Sequence, residues 1–262
     1  MVQFRVGLLV LFLFFLNSFK PISLSDREIE ILYLCNISGL FEFDEDGRLG
    51  LSTLSELKRR EKTRLSHSNG EVLLFTGGNV FGKGKGLRSN FKILNQVPFD
   101  AVFLTEEEIA YLDSNLSLKS LNLPLVTSRK NSFGIVENKD FQIGEILLSA
   151  REKTGNISGA SEKNENVRIV FLQENLLQTA IVPDSDRLDI LIGKRENMSS
   201  YFYTKGIFFA ECPIYKNSVG KINLIFREGD LIRHSQEFIP LNTIDRNRSW
   251  IPPNREISNE LK

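Results

Sequence analysis

The strongest concentration of cation-binding chemistry in the chain is the run Glu106-Glu107-Glu108. Adjacent carboxylates supply the hard oxygen donors that calcium or magnesium takes. The same run suits the start of a helix, where partial positive charge favours acidic side chains, and that reading is preferred. Imidazole is scarce: His67 and His234 are the only histidines, and both stand in polar contexts that place them at the surface. The amides of Asn36 and Asn79 suit hydrogen bonds to a phosphate or a sugar, and equally suit the ordinary satisfaction of a turn. From Gly77 to Gly84 the chain reads G-x-x-x-x-G-K-G after an apolar strand, one hydroxyl short of a phosphate-cradling loop. The helix such a loop must open would begin on Gly84-Lys85-Gly86, where glycine costs about 1 kcal/mol per residue, so this reading is set aside. Cys35 and Cys212 are too few for a disulfide framework. One bridge in an oxidising compartment and two buried thiols both remain open.

These residues need elements to hold them. Glu28 to Cys35 is a continuous β-prone run, as in a strand buried on both faces. Leu51, Leu54, Leu57 and Leu65 recur at near-helical spacing with Lys58, Arg59 and Arg60 outside, so Leu51 to Leu65 reads as an amphipathic helix with Ser52 as its cap. A strand at Val72 to Phe75, a helix at Ser89 to Gln96 and a strand at Ala101 to Leu104 continue the alternation of an α/β sheet. Further strands are expected at 125–128, 133–136, 145–149, 169–172 and 190–192, and Arg151 to Asn166 reads as an exposed loop. The end changes to hairpin strands, Gly206 to Cys212, Lys221 to Phe226 and Leu231 to Pro240, with Glu228-Gly229-Asp230 as a turn.

The 262 residues carry 33 basic and 33 acidic side chains, so no general electrostatic pull draws the chain to nucleic acid or to an anionic membrane. Arg5 precedes the apolar run Val6 to Leu16, and Ser23 and Ser25 follow at signal-cleavage spacing. The apolar run is shorter than the ~20 residues of a spanning helix. The expected organisation is a signal peptide over 1–25, one domain over 26–242 and a polar tail over 243–262. Export to the periplasm or another extracytoplasmic space follows, with membrane contact only through an uncleaved signal anchor.

At the expected strand ends the chain resembles the catalytic domain of secreted 5'-nucleotidases and UDP-sugar hydrolases, members of the calcineurin-like metallophosphoesterases. The resemblance covers about Ile29 to Leu241. The family's first motif, T-N-D-x-H-G, is matched by Leu34-Cys35-Asn36-Ile37-Ser38-Gly39, with Asn36 and Ser38 at the Asp and His positions. D-A-G-D-x-F is matched by Thr76-Gly77-Gly78-Asn79-Val80-Phe81, placing Asn79 where the family has its metal-bridging Asp. Y-D-A-V-x-x-G-N-H-E-F-D is matched from Phe99 to Ala110, with Glu106 and Glu107 at the ligand Asn and phosphate-facing His. The last two motifs fall on Ile169 to Glu174 and Asp189 to Asn197, where Glu174, Arg195 and Asn197 replace three histidines.

The resemblance implies a four-layer α-β-β-α sandwich with mixed sheets, and an active site of two divalent ions held ~4 Å apart that clamp a phosphate and acidify a bound water. A neutral amide in place of the bridging carboxylate removes the charge that offsets the ion pair, and Arg195 repels the cations. The expectation is therefore no catalytic residue and no cofactor, with Asn36, Ser38, Asn79, Glu106, Glu107, Glu174, Arg195 and Asn197 as vestigial positions. A chain ending near Leu241 is also expected to lack the second, substrate-binding domain of true 5'-nucleotidases. The implied function is a non-enzymatic binding or assembly role with another envelope or secreted protein. The competing reading is a divergent hydrolase of phosphate esters that uses Glu106, Glu107 and Glu174.

Overall fold

The structure is a computed structural model of the whole chain. It describes residues 26–35, 37, 51–77, 80, 94–105, 107–110, 122–127, 138–153, 166–172, 188–193, 203–204, 206–213 and 218–240. The signal and tail segments, the expected strand at 133–136 and most of the expected helix Ser89–Gln96 lie outside them.

Apolar side chains on both faces drive β1 (Asp26–Cys35) into the middle of a sheet. It runs parallel to β2 (Glu71–Gly77), followed by β3 (Ala101–Phe103) and β4 (Leu125–Val126). On its other side lies β11 (Ser218–Arg227), antiparallel, with β12 (Asp230–Pro240) at the edge. The first sheet is thus ordered β12-β11-β1-β2-β3-β4. The second comprises β5 (Asn138–Ile143), β6 (Ile146–Lys153), β7 (Val167–Leu172), β8 (Leu188–Gly193), β9 (Tyr203–Thr204) and β10 (Ile207–Glu211). Its order is β5-β6-β7-β8-β10-β9, with the four middle strands parallel and the two edge strands antiparallel.

The two mixed sheets pack face to face. Ile29, Ile31, Tyr33, Phe75 and Phe103 of the first interdigitate with Leu148, Ile169, Phe171, Ile190 and Phe208 of the second, in one buried core. The opposite face of the first sheet, with Leu32, Leu34, Leu74 and Val102, buries Leu51, Leu54, Leu57 and Leu65 of α1 (Leu51–Leu65) in a second core. Two sheets with a helix outside agree with the α/β sandwich expected from the sequence. On the outer face of the second sheet, Val170, Leu172, Leu191, Ile207 and Phe209 form a third buried cluster.

Helix α1 is reinforced on its exposed side by Glu56–Arg59, Glu56–Arg60 and Glu61–Arg64 pairs at i,i+3 and i,i+4 spacing. Lys62 and Arg64 in its last turn complement the helix dipole. Ser52 does not cap it. The residue lies inside the helix and its buried hydroxyl has no hydrogen-bond partner, because Leu51 already has to be helical to reach the core.

Several strand boundaries move. Strand β6 continues to Lys153, three residues into the stretch expected as a loop, because its backbone is paired with β7 there. Strand β5 was not expected at all. Its sequence is mostly polar, and pairing with β6 through a turn at Gly144 (φ 62°) fixes it instead. His234, expected at the surface, is turned inward and meets the Phe208 ring edge-on at 4.8 Å. The alternation of β12, invisible in its polar sequence, decides that direction, and burial lowers the pKa of its imidazole.

Candidate functional site: the crest of the two sheets

Parallel strands in register bring their carboxyl ends to one level. In the first sheet Cys35 pairs with Gly77 and Gly77 with Phe103. In the second Phe171 pairs with Ile192, and Gly193 with Glu211. The two crests meet. Phe103 stacks on Phe171 at 4.2 Å between centroids, and a Cβ on Gly77 would lie 2.6 Å from the Phe171 ring, so only glycine lets that ring close over the end of β2. The residues that immediately precede the matched motif positions on β1 and β2 are thus gathered at one end of the molecule, with the ends of β3, β7 and β8.

A disulfide joins Cys35, the last residue of β1, to Cys212 just beyond β10, with their Cα atoms 5.7 Å apart. It ties one sheet to the other beside the position of Asn36. Two further bonds reinforce that corner. The Tyr33 hydroxyl donates to the Glu211 carbonyl at 2.7 Å, and the Gln236 amide donates to that carbonyl at 3.3 Å and to the Tyr33 oxygen. Burial raises the pKa of the Tyr33 hydroxyl, which keeps it a neutral donor. The ring fits because residue 220 on β11 is glycine: a Cβ there would stand 2.1 Å from the ring carbon Cζ.

On the other side of the crest Thr105 and Glu108 form a reciprocal cap on the helical turn at 107–110. The Thr105 hydroxyl accepts the Glu108 N–H at 3.2 Å, and the Glu108 carboxylate accepts the Thr105 N–H at 3.0 Å. The other carboxylate oxygen of Glu108 accepts the Val80 N–H, which anchors the loop after β2. The Thr-x-x-Glu spacing was readable in the sequence as this capping pattern and was missed there. Asp100, another acidic residue of the third motif, is equally committed. Its carboxylate accepts the Leu74 N–H and the Lys58 ammonium, each at 2.6 Å.

Of the eight vestigial positions, Glu107 is described, and it is exposed on the helical turn at 107–110. Asn36, Ser38, Asn79, Glu106, Glu174, Arg195 and Asn197 lie outside the described residues. Neither histidine is at the crest. His67 follows α1 in the turn that leads into the opposite end of β2, and His234 pairs with Leu224, itself level with Ile29 near the start of β1.

No protein-family model and no curated protein sequence matches the chain. Solved structures do. A sulfate thiohydrolase SoxB of Thermus thermophilus superposes with a TM-score of 0.61 at 10% identity, over 89% of this chain and 59% of that one. A 5'-nucleotidase of Candida albicans gives 0.61 at 12% identity, over 89% of this chain and 57% of that one. The calcineurin-like phosphoesterase YfkN of Bacillus subtilis gives 0.59 at 13% identity, over 90% of this chain and 96% of that one. The chain has the metallophosphoesterase fold. It spans less than two thirds of the length of SoxB and of the Candida nucleotidase.

The metallophosphoesterase fold corrects the expectation that no cofactor belongs to this chain. Besides the thiohydrolase SoxB, its structural neighbours include a 5'-nucleotidase and a calcineurin-like phosphoesterase, the group that the sequence resemblance ties to two divalent ions. Whether the residues at this crest fit such ions is a separate question of donor chemistry. At the crest Cys35 is consumed by the disulfide and Glu108 by two backbone N–H groups, while Asp100, at the opposite end of β3, is held by Lys58 and Leu74. Among the described residues no three His, Cys, Asp or Glu side chains stand close enough together to hold a metal ion. The described part of the crest therefore supplies no such ion centre, and no chemical step is derived through one.

Proposed function

We propose that the chain is an exported protein that keeps the metallophosphoesterase scaffold without its hydrolytic activity, and serves as a binding or assembly component of the cell envelope. The observation that carries this reading is the place of the only two histidines, both remote from the crest. Phosphoesterase chemistry of the family type draws on imidazole at the strand ends, to ligate metal and to face the phosphate. Here the matched positions hold Asn36, Ser38, Asn79, Glu107, Glu174, Arg195 and Asn197, and the acids Glu108 and Asp100 are already engaged by the chain itself.

Export is supported by the charged-then-apolar opening and by the disulfide, since such bonds persist in oxidising compartments. No helix among the described residues is long and apolar enough to cross a membrane. The partner in this reading is another envelope or secreted protein.

The test uses the purified mature chain. Its manganese, zinc, calcium and iron content is measured by emission spectrometry. Hydrolysis of p-nitrophenyl phosphate and AMP is assayed on the same samples with each metal added. The reading expects no phosphate release above the blank, whatever the metal content. Turnover that disappears in Glu107→Ala would refute it in favour of a divergent metal-dependent phosphoesterase. With an inert chain, capture from native envelope fractions identifies the partner.

A further inference from the structure

Among the described residues β12 is the longest strand and stands at the edge of the first sheet, eleven residues from Asp230 to Pro240. Among the described residues no strand pairs with its outer side, and every one of its residues is at least partly exposed. Such a row of backbone donors and acceptors is a template for another strand unless the sequence blocks it. Two blocks are present, one at each end. Arg233 pairs with Ile225 and Leu231 with Phe226, so Ile232 is an extra, bulged residue, 48% exposed. At the far end Pro240 has no N–H to give. Between them, Arg233 to Ile239 is regular and unblocked.

The side chains of that stretch are arranged to match themselves. Arg233 and Glu237 lie on the same, outward face as Ser235, while His234 and Gln236 point inward to Phe208 and Tyr33. Arg233 makes no ion pair within the described residues. Glu237 holds Lys221 at 2.9 Å and keeps 55% of its side chain exposed. When two copies of the strand run antiparallel about an axis at Ser235, residues 233 and 237 fall directly opposite each other twice, and His234 falls opposite Gln236. Opposite charges at such positions attract and like charges repel. Moving the axis to Arg233 or Glu237 sets like charges face to face. Moving it to His234 or Gln236 leaves Arg233 opposite Ser235 or Ile239. Only the register centred on Ser235 forms both ion pairs.

We propose that a second copy of this chain docks on β12, antiparallel and centred on Ser235, so that two first sheets join into one twelve-stranded sheet across a two-fold axis. The contact is isologous, each copy giving Arg233 and receiving Glu237. The other edges are shorter: β4 and β9 are two residues each and β5 is six. The short regular stretch makes the interface a weak, concentration-dependent one.

Sedimentation velocity on the mature chain over about 10–300 µM, the range of a small transient interface, is expected to show a mass rising from one chain toward two. Arg233→Glu and Glu237→Arg should each weaken association by about tenfold or more, since each homodimer then faces like charges. An equimolar mixture of the two variants should restore it, because the mixed pair recovers both attractions. Thermal unfolding of each variant confirms that it is folded. Arg233 makes no ion pair among the described residues, so its reversal should leave stability unchanged. Should Glu237→Arg fail to fold, Ser235→Lys provides a second probe, setting two ammonium groups together at the axis. A chain that stays monomeric to the top of the range overturns the proposal. So does a dimer indifferent to Arg233→Glu and to Ser235→Lys.

Discussion

Reducing the Cys35–Cys212 disulfide should loosen the crest by a predictable amount. The bridge spans 177 residues and is the covalent link between the two sheets at that end. Closing so long a loop removes entropy from the unfolded chain worth about 5 kcal/mol at 25 °C, the top of the range measured for disulfides. Tyr33, Gln236 and the Glu211 carbonyl still hold the same corner after reduction, and the unfolded chain is never a free coil, so the expected loss is about 2–4 kcal/mol. For a domain of this size that lowers the melting temperature by roughly 5–15 °C. The assay is thermal unfolding followed by circular dichroism, with and without a phosphine reductant, beside the Cys35→Ala/Cys212→Ala double variant. Both routes should give the same drop, and reductant should not change the double variant. A drop under about 2 °C would refute the loop-entropy reasoning. Two reactive thiols per chain in the untreated folded protein would refute the bridge itself.

Three other perturbations probe the interior. Glu30 on β1 is 0% exposed, and burial pushes its carboxyl up to about 7 against the pull of Lys221 at 3.0 Å, with Glu61 of α1 pushing the same way. Because the folded value exceeds the ordinary carboxyl value of 4.5, the folded chain binds the extra proton, so this stabilisation is full below about pH 4.5 and is lost as pH rises through 7. Glu30→Gln should therefore match the wild type at pH 5 and exceed it by about 1–3 kcal/mol at pH 8 in urea unfolding; a pH-independent difference would contradict the assignment. Asp189→Ala removes the bidentate partner of Arg168, held at 2.9 and 2.5 Å with both residues 1% exposed, and should cost about 3–5 kcal/mol by the same measurement. Gly220→Ala drives a methyl into the Tyr33 ring and should cost about 1–3 kcal/mol, with a loss of near-ultraviolet tyrosine signal; an unchanged midpoint would show that the ring has room to move.

Much of the frame was legible from local pattern. Leu51, Leu54, Leu57 and Leu65 placed α1 with the observed limits, because one apolar stripe per helix is a short-range signal. The apolar runs of β1, β2, β7 and β8 marked strands that are buried on both faces for the same reason. The polar strands lack such a run. β12 was still legible as one arm of a hairpin about Glu228-Gly229-Asp230, but in β5 a partner strand supplies the pairing energy, and nothing in Asn138 to Ile143 announces it. The candidate site divides likewise. The missing imidazoles could be counted, and the Thr105-x-x-Glu108 cap could have been read as a spacing.

The amino-acid sequence alone carries the alternation of strand and helix, the supply of each residue type, and hence how few imidazoles there are to place. Those properties are local or additive, and a chain carries them in any conformation. The tertiary structure alone decided that Cys35 meets Cys212 across 177 residues, that His234 turns in to Phe208, that Glu108 is spent on Val80 and Thr105, and that Arg233 and Glu237 share one face of an edge strand. Each of these depends on which strands lie side by side and in what register, and register is fixed by burial across the whole sheet rather than by any one segment of it.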